Sequence, residues 1–339
     1  MLSLRKFAAM AGVSPATVSR VFANKGLVAP RTHARVIALA KSVAFRPSAF
    51  GNVAFGGNTR SVGVLVATLK VTYFADIATG LQETLLAENY LPMVLQSIVD
   101  SDRRSIRRLL DHRVDALCLG LMDETLTPDD FSEVVKAKIP VVVISPMGSG
   151  LMFDTASDDD IGGGRLAGEH LLSLGHQRIG FGLLGEGRAT SSLRQNGFEQ
   201  ALAQHKLSLA SRDIARMPPR GPDGEAMFSR DVHRILSRPD RPTAFFASTD
   251  LLAANVYHVA RGLNLHIPRD LSIVGYADLT FAAHIDPPLT TIRQDGLELG
   301  RSAAELILNR LGNSTAPRQD VMVPTELVTR GSTARCTRK

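Results

Sequence analysis

From residue 61 onward the chain alternates between two periodicities. The runs "SVGVLVATL", "YLPMVLQS", "VDALCLGL" and "IPVVVIS" are short, apolar and β-branched on both faces. Between them lie "YFADIATGLQETLLAE", "DRRSIRRLLDHR" and "PDDFSEVVKAK", whose apolar residues recur at helical spacing. A strand that is apolar on both faces must be covered on both, and a helix between two such strands supplies the cover and the crossover together. The alternation therefore predicts βαβ units around a parallel sheet. A second series begins near Asp160: the helices "IGGGRLAGEHLLSLG", "TSSLRQNGFEQALAQH", "GEAMFSRDVHRILS" and "DLLAANVYHVARG", with the strands "RIGFGLL", "TAFFAS" and "LSIVGYA". The body is thus expected to form two α/β lobes of similar size, with a ligand cleft where their strand ends face each other.

The first sixty residues follow other rules. They carry nine Lys and Arg residues and no Asp or Glu, whereas the remainder carries thirty basic against thirty-three acidic residues. A basic module on a mildly acidic body is the footprint of a polyanion binder. A solvated basic tail would lack apolar periodicity, and this segment has it. Ser3 can cap a helix through "LRKFAAMA", with Leu4, Phe7, Ala8 and Ala11 on one face. Gly12 ends it, Ser14 caps the next helix, and Pro15 occupies that helix's first turn. Val18, Val21 and Phe22 then point inward, leaving Thr17, Ser19 and Arg20 outward. A third helix is expected over residues 31–43, ended by "FRPSAF" because a proline disfavours helix at the residue before it. Two short helices across a tight turn make a helix-turn-helix, with a protein-docking bundle as the alternative. An arginine on the second helix suits guanine O6 and N7 in a major groove.

"AAMAGVSPATVSRVFANKGLVAPRTHARVIALAKSVAFRPSA" resembles the DNA-binding head of the lactose repressor / galactose repressor family, without a gap over residues 3–61. The resemblance implies base reading by Pro15, Ala16 and Arg20. It implies phosphate contacts from Ser14, Thr17, Ser19 and Thr32, and further DNA contacts from Ser48, Ala54 and Phe55 in the hinge "PSAFGNVAFGGNTRSVG". In the family a hinge leucine wedges into the minor groove. Ala54 stands at that position here, so either Phe55 or Val53 supplies the wedge or the hinge kinks DNA less. The family's asparagine after the second helix is Ala23.

"RLAGEHLLSLGHQRIGF", "RQNGFEQAL", "DLSIVGYAD", "PPLTTIRQD" and "TELVTRGST" carry the same resemblance through the body. It implies a fold like that of periplasmic sugar-binding proteins, with three crossings between lobes near Asp160, Thr290 and Val321. The expected organisation is a helix-turn-helix domain over residues 1–46, a hinge over 47–60 and an effector-binding and dimerisation domain over 61–339. Within that domain one lobe spans about 61–160 and 291–321, and the other about 161–290 and 322–335. The expected partners are a palindromic operator, a second copy of the chain and a small effector. "GSTARCTRK" shows no leucine heptad, so a dimer without a tetramerisation tail is expected.

For the effector, the resemblance places Tyr73 and Phe74 in the cleft, with a core position as the alternative for Phe74. Arg194 matches a cleft arginine, whose alternative is a surface salt bridge. Arg188 and Thr190 match cleft positions of the purine-repressor branch. Thr249 replaces an asparagine before Asp250, and Ala277 replaces an acid that takes ligand hydroxyls, with Asp278 following. Asp158, Asp159 and Asp160 lie at a crossing, where one of them reaches the ligand or all start a helix. Two arginines kept and one acid lost favour a sugar acid or sugar phosphate. A nucleobase or other metabolite is the alternative effector, and a sugar-binding protein without regulatory role the alternative function.

Enzyme chemistry finds no support. "GEGRAT" lacks the third glycine of a dinucleotide motif, and there is no phosphate-loop GK[ST], G-x-S-x-G elbow or metal-spaced cluster. No cofactor and no metal is expected. Two cysteines, Cys118 and Cys336, make no disulfide framework, and Cys118 reads as a small core residue. No apolar run is long enough for a membrane span and the N-terminus is too short for a secretory signal, so a cytoplasmic location is expected.

Overall fold

The computed structural model describes residues 2–22, 28–45, 58–97, 102–120, 131–144, 152–185, 189–218 and 223–337. The head holds three helices, α1 (Leu4–Met10), α2 (Pro15–Phe22) and α3 (Pro30–Ser42). Ser3 Oγ accepts the Lys6 amide at 3.3 Å and Ser14 Oγ accepts the Thr17 amide at 3.1 Å, so both N-termini are capped as their sequence directs. Gly12 sits at φ +62° with open space around it, so the turn needs glycine for its backbone conformation and not for room. Phe7 and Phe45 stack at 3.9 Å between centroids, with Phe22 against both. Such pairs add about 0.5–1.5 kcal/mol to their burial, a useful share for so small a core.

Two six-stranded sheets make the body. The first contains β1 (Ser61–Val66), β2 (Leu91–Gln96), β3 (Ala116–Leu119), β4 (Val141–Ile144), β5 (Asp154–Asp158) and β11 (Asp320–Val323), in the order β11-β5-β4-β3-β1-β2. The second contains β6 (Ile179–Leu184), β7 (Ile214–Met217), β8 (Ala244–Ala247), β9 (Ser272–Ala277), β10 (Thr290–Arg293) and β12 (Glu326–Val328), in the order β12-β10-β9-β8-β6-β7. Every described pairing is parallel except that of β10 with β12. Strands β1, β3, β4 and β8 are buried at every residue, as their apolar composition requires. Cys118 is one of these core residues, and burial pushes its thiol up to about 12.

The helices are α4 (Thr72–Ala87), α5 (Asp102–Asp111), α6 (Ser132–Ala137), α7 (Asp160–Ser173), α8 (Ala189–Gln204), α9 (Gly224–Leu236), α10 (Asp250–Gly262) and α11 (Gly296–Gly312). Two helix pairs are drawn together by reciprocal glycines. A Cβ on Gly80 would lie 2.1 Å from the Leu297 carbonyl oxygen of α11, and one on Gly300 would lie 2.2 Å from that of Ile77. In the second lobe a Cβ on Gly164 would lie 2.0 Å from the Arg194 carbonyl oxygen of α8, and one on Gly197 would lie 1.9 Å from that of Ile161.

The crossings fall partly elsewhere than expected. Thr290 begins a strand of the second sheet that runs to Arg293, so the chain leaves that lobe at Gln294 and Asp295. Val321 lies inside a strand of the first sheet that runs to Val323, so the last crossing is at Pro324 and Thr325. Strands prolonged past the expected limits explain both differences. Six elements escape the apolar-run rule: β5, β7, β10, β11, β12 and α11. β5 alternates buried Asp154, Ala156 and Asp158 with half-buried Thr155 and Ser157. β7 is buried only at Ile214 and Ala215, with Arg216 and Met217 half-buried, so it offers no apolar run. Asp154 is held by Arg310 of α11 at 2.6 Å, which is how a carboxylate occupies a strand interior.

Candidate functional site

Ser14, just ahead of α2, and Arg20, in its last turn, are exposed, and Pro15, Ala16 and Thr17 in its first turn are half-buried; Thr32 is half-buried at the start of α3. Ser14 Oγ also lies 2.9 Å from Thr17 Oγ1. Ser19 departs from expectation: it is 6% exposed, because it follows Val18 on the arc that packs into the head's core. A side chain so placed is not presented to a phosphate. Ser48, Ala54, Phe55 and Val53 lie outside the described residues.

A cavity of about 370 Å³ opens between the lobes. The first lobe contributes Tyr73 and Phe74 from the start of α4, with ring centroids 5.1 Å apart in a T-shaped pair. The second contributes Thr190, Arg194, Thr249, Leu251, Ala277 and Leu279. Asp158, Asp160 and Gln294 line it from the crossings. Phe74 thus meets the cavity while also packing on the first lobe's core.

Arg194 is buried and fully engaged. Its Nε donates to Asp160 Oδ1 at 2.7 Å, its Nη1 to the Ser248 carbonyl oxygen at 2.7 Å and its Nη2 to Gln294 Oε1 at 3.4 Å. Its guanidinium lies 3.7 Å from the centre of the Tyr276 ring. Burial, the largest single influence, would lower its pKa, but Asp160, Tyr276 and Asp158 together outweigh it and hold the group above the usual arginine range. The surface-salt-bridge alternative is half right, since the bridge exists but lies inside the cleft wall. The triple glycine of α7 explains how: only without side chains at Gly164 and Gly197 do α7 and α8 come close enough to join Asp160 to Arg194.

Asp158 is the third buried charge of the cleft, beside Arg194 and Asp160. The Tyr73 hydroxyl and Gln294 Nε2 both donate to its Oδ2, the latter at 2.7 Å. Its Oδ1 is buried without a hydrogen-bond partner. Burial pushes this carboxyl up to about 6, against the Tyr73 hydrogen bond, which pulls it down. The three consecutive aspartates therefore divide their roles. Asp159 caps α7 by accepting the Gly162 amide at 2.7 Å, while Asp158 and Asp160 face the cavity.

Other expected residues lie elsewhere. Asp250 is fully buried beneath β9, where its carboxylate accepts from Leu279 N at 2.7 Å and Thr291 Oγ1 at 2.6 Å, and burial pushes it up to about 6. It holds the core of the second lobe and is not among the residues lining the cavity. Asp278 is clamped by Arg293 at 2.8 Å and Arg330 at 2.6 Å, outside the cavity. Between them Ala277 has φ +118° and Asp278 φ +55°, a strained turn at the cavity edge that the clamp stabilises. Thr249 lines the cavity and caps α10 through Leu252 N at 3.2 Å. Arg188 lies outside the described residues. Sequence reasoning missed Gln294 and the leucine wall, because neither residue type carries a signal of its own. Among the described residues no helix is long and apolar enough to cross a membrane.

Comparison with known proteins agrees with this geometry. Residues 3–48 match the family described as bacterial regulatory proteins, lacI family, and residues 169–333 match the periplasmic binding protein-like domain. The HTH-type transcriptional repressor PurR of Haemophilus influenzae strain PittEE is 31% identical over 314 residues, 92% of this chain and 91% of that protein. A LacI family transcriptional regulator from Enterococcus faecium, solved with bound ribose, aligns at TM-score 0.71 and 28% identity over 82% of this chain and all of that one. The lac repressor dimer bound to operator and the anti-inducer ONPF shares the fold at TM-score 0.81, with 24% identity over 98% of this chain and 99% of that one. A head built for a DNA groove, a two-lobed body with a cavity at its crossings and a whole-length likeness to repressors, none of them an enzyme, place this chain in the lacI family of bacterial regulatory proteins, as a DNA-binding transcriptional repressor with a ligand-binding domain.

Proposed function

We propose that this repressor's hold on a palindromic operator is set by a small effector bound between the two lobes. The observation that carries this reading is the cavity at the crossings, where the buried Asp158 Oδ1 has no partner within the chain. A buried carboxylate oxygen without a donor is costly, and a ligand's hydrogen bond removes that cost. Because the cavity is lined from both lobes, occupancy changes the energy of their relative rotation. An effector that prefers one rotation shifts the population towards it, and operator affinity follows by linkage.

One head reaches a single half-site, so two heads of a homodimer reading a palindrome is the arrangement that gives useful specificity. A DNA target supports a cytoplasmic location. The bound ribose of the Enterococcus faecium regulator supports a sugar as effector, and the likeness to PurR supports the alternative, a purine-related compound. The expectation of an anionic sugar loses its support among the described residues, since the charge of Arg194 is already answered by Asp160.

Arg20→Ala should remove about 1–3 kcal/mol of preference for the operator over random DNA while leaving salt-dependent non-specific binding. Fluorescence anisotropy on both DNAs across a salt series reads this directly. Equal losses on the two DNAs would show that Arg20 touches only phosphate.

A further inference from the structure

Resting on the cleft reading above, we infer that the effector is an uncharged or cationic ring compound that donates an N–H or O–H to Asp158, and that anions are rejected. The charges of the described cavity lining decide the sign. Arg194, the cation there, is spent on Asp160 at 2.7 Å, on the Ser248 carbonyl and on the Tyr276 face. Asp158 feels the Arg194 charge only at a distance and makes no ion pair with it: a phenol and an amide satisfy Oδ2, and Oδ1 is left unmet, in a residue only 8% exposed. One arginine against two carboxylates gives the site a surplus negative charge. An anion would meet that charge in a region of low dielectric, whereas a donor or cation would complete it. The rest of the wall fixes the ligand's other face. Phe74, Leu184, Leu251 and Leu279 offer apolar surface that a flat or ring-shaped body covers. The acid on the second lobe does not alter this balance, because Asp278 is neutralised outside the cavity by Arg293 and Arg330.

Three probes of one shape and different charge test this: benzamidine, benzamide and benzoate, titrated calorimetrically into the full chain. Benzamidine should bind tightest and benzoate at least about tenfold weaker. Asp158→Asn should bring benzamidine down to the level of benzamide. Asp160→Asn, which releases Arg194 from its partner, should tighten benzoate about tenfold. Leu251→Trp, which fills the cavity, should abolish binding of all three. Circular dichroism confirms that each variant is folded. If benzoate equals or exceeds benzamidine in the unaltered chain, the ligand class is wrong while the cleft stands. The same holds if Asp158→Asn leaves the order of the three unchanged. If no probe binds, or if Leu251→Trp leaves binding intact, the cleft reading itself fails.

Discussion

In the first lobe α4 and α11 approach through Gly80 and Gly300; in the second, α7 and α8 do so through Gly164 and Gly197. Each pair leads one helix to the cleft, but the deliveries differ. The first brings the rings of Tyr73 and Phe74, and the second brings the guanidinium of Arg194. Rings need only a position. A buried charge also needs an opposite charge, so the arginine is ringed by Asp160 and Gln294 from the crossings and by the Tyr276 face of the second lobe. The same packing device therefore serves two chemistries, and the cost of desolvation falls on one lobe.

The largest expected effect tests that asymmetry. Arg194→Ala leaves Asp160 buried without a counter-charge and should cost about 3–5 kcal/mol in urea unfolding, largely recovered in the double variant Arg194→Met with Asp160→Asn. A cost below about 1 kcal/mol would mean the pair is not desolvated. The shared packing predicts equality instead. Gly80→Ala and Gly164→Ala each drive a methyl into a carbonyl oxygen, and each should cost about 3 kcal/mol. A clear inequality between them would show that one pair has slack.

The pH dependence is next in size. The Asp158 carboxyl is pushed up to about 6, against about 4 for a free aspartate. Between about pH 4 and 6 the folded chain keeps a proton that the unfolded chain has released, so stability falls as pH rises through that window and returns below it. At about 1.4 kcal/mol per pH unit the swing is at most about 3 kcal/mol. Asp158→Asn does not titrate there. Urea midpoints of the two proteins should diverge in the expected sense from pH 4 to 7, and parallel curves would place Asp158 in contact with water. The smallest effect belongs to the ring side: Tyr73→Phe removes one hydroxyl from Asp158 and should cost about 1–2 kcal/mol, well short of the Arg194→Ala loss in the same unfolding assay.

How much of this was written locally varies by region. The head was legible because its signals are near neighbours: Ser3, Gly12 and Ser14 set the helix limits within a few residues. Most body strands were legible because burial on both faces forces apolar composition. β5 was not, because its inward Asp154 and Asp158 are stabilised by Arg310 and Gln294, far along the chain. In the site, Tyr73, Phe74, Thr190 and Arg194 were found through a resemblance. The roles of Asp158, Asp159 and Asp160 were not legible, since consecutive residues at the junction of a strand and a helix point in different directions. Ser19 and Asp250 misled for one reason: a polar residue can serve the interior of its own domain as well as a ligand.

Asp158 ends β5 where the chain passes into a crossing, and Gln294 stands on another crossing just past β10, so the pair marks the junction of the lobes. A turn of one lobe about those segments hardly moves a molecule seated there, while points far from the axis sweep through long arcs. The binding site is therefore close to the pivot, where leverage is greatest in reverse: a slight adjustment around a small ligand is magnified at the outer ends of the body.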